Sequence, residues 1–483
     1  MLFNSLSFVL FLLVVFAVYW LIPAKHRWFV LLMGSYYFYM CWECSYIILI
    51  VGTTLVTFFA GLALENTTSQ NKKKLIVVGM LTCCLGVLFV FKYLTYFVGI
   101  VSKALSLFTI KIPPFTSRLL LPVGISFYTF QTLSYVIDIY RGDIKAEHHF
   151  GKYAAFISFF PQLVAGPIER TKNLLPQIKT AQSFDYDLAM AGGRLILIGY
   201  FKKLVVADNL AVYVDKVYNS LHEMSGFSLL IASIFFALQI YCDFSGYSDI
   251  ARGTAYLFGI RLMENFKVPY FSMNLHEFWK RWHISLSTWF RDYVYIPLGG
   301  NRKGIFRTNV NLLVTFLVSG LWHGANTTYV IWGAIHGIGQ IIENALGISR
   351  WQGKIVLIFH RCIMLIFIFF AWVFFRAQTM SDAIYVLKNM FVGIAKPGQY
   401  ISGGFSAMSL GVTMLLTIVV IYLCPLFLID FVTYLSDLKE KVALVLKDTG
   451  KKTITIISFL IISILIIVFS PKGVAAEFVY FQF

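Results

Sequence analysis

Two histidines stand where an ionisable side chain needs a reason. His323 lies in Thr315-Phe-Leu-Val-Ser-Gly-Leu-Trp-His-Gly324, an apolar stretch of the kind that crosses a bilayer. A titratable group is costly there, and such groups mark pathways, proton relays or reactive centres. His283 lies in the dense run His276-Glu-Phe-Trp-Lys-Arg-Trp-His-Ile-Ser-Leu-Ser-Thr-Trp289. Together with the tryptophans around them, they point to chemistry on something that enters the membrane.

A neutral imidazole can take a proton from a hydroxyl, the step that acyl transfer requires. Gly320 and Gly324 flank His323 at i−3 and i+1, so that backbone or a thin ligand can approach closely. The competing reading is a histidine bonded to a neighbouring helix. His336, in Trp332-Gly-Ala-Ile-His-Gly337, fits that packing role better than a reactive one. In the other run, the spacing of His276, Lys280, His283 and Ser287 predicts one shared helix face, with Glu277 and Arg281 as an i,i+4 pair beside it. Trp279, Trp282 and Trp289 would supply flat apolar surface, and an amphipathic helix at the membrane interface is the alternative. His276 with Glu277 does not make an HExxH pattern, so no metal site is expected.

The elements that must hold these groups are membrane helices. The chain has 483 residues, 59% of them hydrophobic and 13% charged, with a mean hydropathy of +0.76. Leu2–Ile22, Phe29–Ile50, Leu75–Val101 and Ile454–Ser470 are apolar runs near the ~20 residues that a crossing helix needs. On that criterion there are roughly 11 to 13 transmembrane or re-entrant helices, in an all-α polytopic membrane protein. We expect a single integral-membrane domain over 1–483. Residues 1–110 form N-terminal helices, 115–345 a core of interrupted segments, and 350–483 C-terminal helices and tail.

The net charge of +17 belongs to cytoplasmic loops facing anionic lipid rather than to nucleic-acid binding. Lys25-His26-Arg27 after the first run places the N-terminus outside, and Lys72-Lys73-Lys74 is a second cytoplasmic turn. The seven cysteines lie mostly in apolar runs and are expected to be inert packing thiols. In the core zone, Pro122, Pro161, Pro167, Pro269 and Pro297 break helices at membrane depth, which is tolerated only where protein or a water-filled cavity covers the backbone. Asp243, Asp249 and Arg252 stand beside an apolar run, and the last two at i,i+3 are placed to neutralise each other. There is no Walker loop, GxGxxG or GxSxG elbow.

Five strings in order resemble the membrane-bound O-acyltransferase (MBOAT) family: Leu121–Gln131, Pro161–Arg170, Asp243–Asp249, Arg281–Trp289 and Leu321–Gly324. The likeness is to its bacterial acyl-exporting branch, which includes alginate O-acetylation proteins and peptidoglycan O-acetyltransferase membrane subunits. It implies a multi-helix fold around a central funnel or tunnel, with His323 as catalytic base and His283 as a second active-site residue. Trp322, Trp289, Ser287, Trp282, Asp243 and Gln131 are then candidates for lining the passage. Acetyl-coenzyme A would be the cytosolic donor substrate, with no permanently bound cofactor and no metal. The partners implied are membrane lipid, a separate extracytoplasmic SGNH-type acetyltransferase and a polysaccharide acceptor. The location implied is the inner, or cytoplasmic, membrane of a bacterium.

The final string Phe478-Val-Tyr-Phe-Gln-Phe483 ends on a free carboxylate and is similar to the end of a small partner peptide in the D-alanyl branch. Tyr480 is accordingly a candidate acyl carrier, against the alternative of an aromatic anchor at the interface. D-alanyl or other acyl transfer on the same fold, or a glycan or lipid transporter, are the alternative functions.

Overall fold

The computed structural model describes residues 1–108, 121–164, 166–348, 353–438, 448–471 and 478–479; Tyr480 lies outside the described residues. Every regular element among them is helical. Among the described residues, six helices are long and apolar enough to cross a membrane: Cys44–Asn66, Gln70–Lys92, Phe227–Leu257, Gly304–His323, Ile355–Arg376 and Val412–Leu435. Leu6–Leu21, Leu94–Ser106 and Ile457–Phe469 are shorter apolar helices. Large apolar side chains such as Ile355, Ile366, Leu428 and Ile467 are exposed along them. In a water-soluble fold that would be a liability, whereas a bilayer covers it.

Two of the apolar runs are interrupted. Phe29–Ile50 stops being one helix at Met40, because the Glu43 carboxylate accepts from Ser45 Oγ at 2.8 Å and starts a new turn. Leu75–Val101 divides at Tyr93 into the Gln70–Lys92 and Leu94–Ser106 helices. Of the seven thiols, all free, only Cys84 and Cys242 are buried, so packing accounts for two of them rather than most.

The described residues form two compact units. The first comprises Met1–Gly193 with Ala251–Met263. Here the Phe150–Ser158 helix ends before Pro161, and the Phe156 carbonyl freed by the break is collected by two amides. Gln131 Nε2 and Gln162 Nε2 each donate to it at 3.0 Å, and Gln162 Nε2 also donates to Gln131 Oε1 at 2.9 Å. The Phe160 N–H on the far side donates to Ser35 Oγ at 3.0 Å. A broken helix can persist at membrane depth only if its backbone groups are paired in this way. Gln131 therefore has a structural role in this unit. The buried Glu169 carboxylate likewise accepts from the Met263 N–H and from Asn173.

The second unit comprises Arg194–Ile250 with Glu264–Phe483. Its central feature is the hairpin of the Gly304–His323 and Thr327–Leu346 helices. Asn326 caps the second helix by accepting from the Thr328 N–H at 3.1 Å, and its own amide donates to the Gln378 carbonyl at 2.7 Å. Gly320 and Gly333 meet where the two helices cross, and a Cβ on either would collide with the other helix's backbone at Tyr329 or Phe316. Between lipid-embedded helices no hydrophobic force drives association, so van der Waals contact through small residues does the work.

Candidate active site

His323 is the last residue of its helix, followed by Gly324 in extended backbone. The glycine crossing fixes how deep it sits. Its ring is 5% exposed and meets Trp332 edge-on at 5.1 Å between centroids and Phe375 at 5.2 Å. The Trp322 ring lies 5.1 Å from it on the same turn. The close approach anticipated at Gly320 and Gly324 is made by protein: the Tyr329 carbonyl stands over the first and the Tyr329 ring over the second.

His283 is placed by a different device. The expected single helix is two, Leu275–Arg281 and Ile284–Phe290, and His283 between them has φ 44° and ψ 53°. That left-handed conformation is rare for a residue with a Cβ and persists only where surroundings impose it. The imposing element is the segment around Asn265. Lys267 N–H donates to the Arg281 carbonyl at 2.9 Å, and Ile284 N–H donates to the Asn265 carbonyl at 2.9 Å. The Asn265 side-chain oxygen also takes Ser285 Oγ at 2.9 Å. These bonds replace the helical ladder across 281–285, so the predicted common face does not exist. His276 and Lys280 are exposed while His283 is 2% exposed.

His283 Nδ1 lies 3.2 Å from Asn265 Oδ1. An amide oxygen accepts, so the proton sits on Nδ1 and Nε2 carries the lone pair; this tautomer follows from the hydrogen-bond network. Burial pushes the imidazole down to about 3, which keeps the ring neutral near pH 7. Its ring is 6.2 Å from Trp322 and 5.9 Å from both Phe244 and Phe266. Trp322 thus touches both histidines, and one aromatic wall joins them.

The other residues singled out from the sequence have distinct partners. Trp282 is buried, stacked on Phe278 and 5.0 Å from Trp372. Ser287 Oγ donates to the Trp282 carbonyl at 3.2 Å, which closes the broken turn. Trp289 packs on Tyr293 and Phe290. His336 is fully buried and accepts from Trp279 Nε1 at 3.3 Å. Asp243 is fully buried against Lys203, with 2.7 Å between charged atoms, and Asp249 takes Lys202 at 2.8 Å.

Sequence reasoning missed Asn265 and both lysines. Lys202 and Lys203 did carry a signal, as two adjacent cations inside Leu195-Ile-Leu-Ile-Gly-Tyr-Phe-Lys-Lys-Leu-Val-Val206. Asn265 carried none, because its importance lies in a contact with a residue 18 positions away. Asn265→Ala should slow turnover by about 10- to 100-fold, the usual effect of losing an orienting partner. Wild-type KM for the donor with reduced kcat is the expected pattern. An unchanged kcat would show that Asn265 does not orient the ring.

The family model of the membrane-bound O-acyltransferases matches residues 143–387. The chain is 39% identical over 396 residues to the probable alginate O-acetylase AlgI of Pseudomonas aeruginosa, covering 81% of this chain and 75% of the relative. It is 40% identical over 405 residues to the protein of the same name in Pseudomonas putida, covering 81% and 80%. It is 35% identical over 428 residues to the peptidoglycan O-acetyltransferase of Helicobacter pylori, again covering 81% and 80%.

Proposed function

The chain belongs to the membrane-bound O-acyltransferase family, and from that premise we propose that it moves acetyl from cytosolic acetyl-coenzyme A across the bacterial cytoplasmic membrane for O-acetylation of a cell-envelope or secreted polysaccharide. It is a multi-pass membrane O-acyltransferase. The observation that carries the acetyl reading is the likeness, over 81% of the chain, to proteins named for O-acetylation. The excess of Lys and Arg, 40 against 23 Asp and Glu, suits a donor that bears phosphates.

His323 is the base in this proposal, with His283 as the second proton-handling group. The accepting hydroxyl loses its proton to the imidazole as its oxygen attacks the thioester carbonyl. A C–O bond forms, the C–S bond breaks, and the imidazolium returns the proton to the departing thiolate. Tyr480 is the proposed first acceptor. Its phenyl ester would then pass acetyl to a sugar hydroxyl through a separate extracytoplasmic SGNH-type transferase, because phenolate leaves more readily than a sugar alkoxide. Support for that role comes from Phe478, which sits against Phe244, itself in ring contact with His283.

Purified protein in vesicles, given radiolabelled acetyl-coenzyme A, should release coenzyme A and carry label that Tyr480→Phe lacks. Full polysaccharide acetylation in cells carrying Tyr480→Phe would end the carrier role while leaving the donor assignment intact. Transfer from a D-alanyl carrier protein, with none from acetyl-coenzyme A, would overturn the acetyl reading.

A further inference from the structure

The last described residues are held by a device that the reaction scheme leaves unused. On the second unit, Gly199 and Gly246 cross so closely that a Cβ on either would lie within 2.8 Å of the other's carbonyl oxygen. This brings the widened turn Phe201–Ala207 onto the Phe227–Leu257 helix. Lys203, 1% exposed, places its ammonium 2.7 Å from Asp208 and 2.7 Å from Asp243.

One cation between two buried carboxylates is more negative charge than a structural pair needs, and burying a surplus charge is costly unless it accepts hydrogen bonds. Asp243 has such a bond. Its Oδ2 accepts from the Val479 N–H at 2.7 Å. Val479 lies outside any long helix, so its N–H needs a partner from elsewhere when buried. The Phe478 ring completes the contact, 4.6 Å from Phe244 and 4.5 Å from Tyr247 between centroids, with no exposed surface. Asp243, Phe244 and Tyr247 occupy positions i, i+1 and i+4 of one helix, so hydrogen bond and ring slot form a single rigid surface.

We propose that Asp243, paired with the Lys203 ammonium that it shares with Asp208, is the positioning residue for the C-terminal segment, seating Phe478–Val479 with the Phe478 ring on Phe244, which itself meets His283. The seat itself stands on the contacts above; its catalytic consequence rests on Tyr480 being the acyl carrier.

Hydrogen exchange of the purified full chain, read on the peptide containing Phe478 and Val479, tests the seat. Asp243→Ala leaves Lys203 still paired with Asp208, and Phe478→Ala alters the tail alone. Each should make that peptide exchange about tenfold faster or more, since a hydrogen bond to a charged group is lost or its companion contact removed. Asp215→Asn, which breaks the separate pair with Arg376, should leave it protected. If Asp243→Ala fails to fold, Phe478→Ala carries the test. Wild-type exchange in the folded variants, or equal loosening by Asp215→Asn, overturns the seat. The same variants should transfer acetyl with lower kcat at unchanged donor KM. Faster exchange with undiminished transfer would leave the seat standing and remove its catalytic role.

Discussion

His323→Ala should lower acyl transfer by about 10²- to 10⁴-fold, the range for a general base, without emptying the membrane of protein. Tolerance follows from where the residue sits. It is the final residue of the Gly304–His323 helix, and the next residue is already extended, so truncation removes no interior helical turn. The losses include edge contacts with Trp332 and Phe375, each a little over 5 Å between centroids. A loss of about 0.5–3 kcal/mol is the ordinary result of such a truncation. His336→Ala is the informative comparison. That ring is more deeply buried, and its removal strands the Trp279 indole N–H that it accepts. The His336 variant should therefore lose at least as much thermal stability and far less turnover. Turnover and melting temperature measured on both variants decide the matter. Equal losses of turnover would mean that His323 matters only through packing.

That contrast was partly legible in the sequence. A histidine between two glycines in an apolar run reads as a candidate reactive group, and Trp332-Gly-Ala-Ile-His-Gly337 reads as packing, because both inferences rest on local chemistry. The membrane helices were legible for the same reason, since hydropathy and length are properties of a segment. The conformation of His283 was not. Residues 276–287 have helical periodicity throughout, and the break at 282–283 comes from Asn265 and Lys267 taking over backbone partners that a helix would have used. Such a competition is set by which segment lies alongside, and no window along the sequence contains it. Gln131 illustrates the same point: a glutamine in a broken apolar stretch could line a passage, and its amide is instead spent on the Phe156 carbonyl. Asp249 likewise has a cation that the local spacing does not show: Lys202, brought in by the glycine crossing at Gly199 and Gly246.

Gly333→Ala should be among the most damaging single methyl additions in the second unit. Its Cβ would fall against the Phe316 carbonyl, a backbone atom that cannot rotate aside, and would lie 3.4 Å from the Gly320 Cα. The helices must separate by roughly 1 Å to restore a normal carbon–oxygen distance. Overpacking of that kind costs about 1–3 kcal/mol. The functional loss should exceed the stability loss. Gly320 is three residues before His323 on one helix, and Gly333 is next to Trp332, on which His323 rests, on the other. Parting them moves His323 against its own support, and a displacement near 1 Å can cost about 10²-fold in rate if His323 is the proposed base. Gly52→Ala supplies the control, because a Cβ there meets nothing within 4 Å and alanine favours a helix interior over glycine by about 1 kcal/mol. Melting temperature should rise or hold in Gly52→Ala and fall in Gly333→Ala, with kcat near wild type in the first and reduced about 10²-fold in the second. Matching kcat values would show that the depth of His323 is set by something other than this crossing.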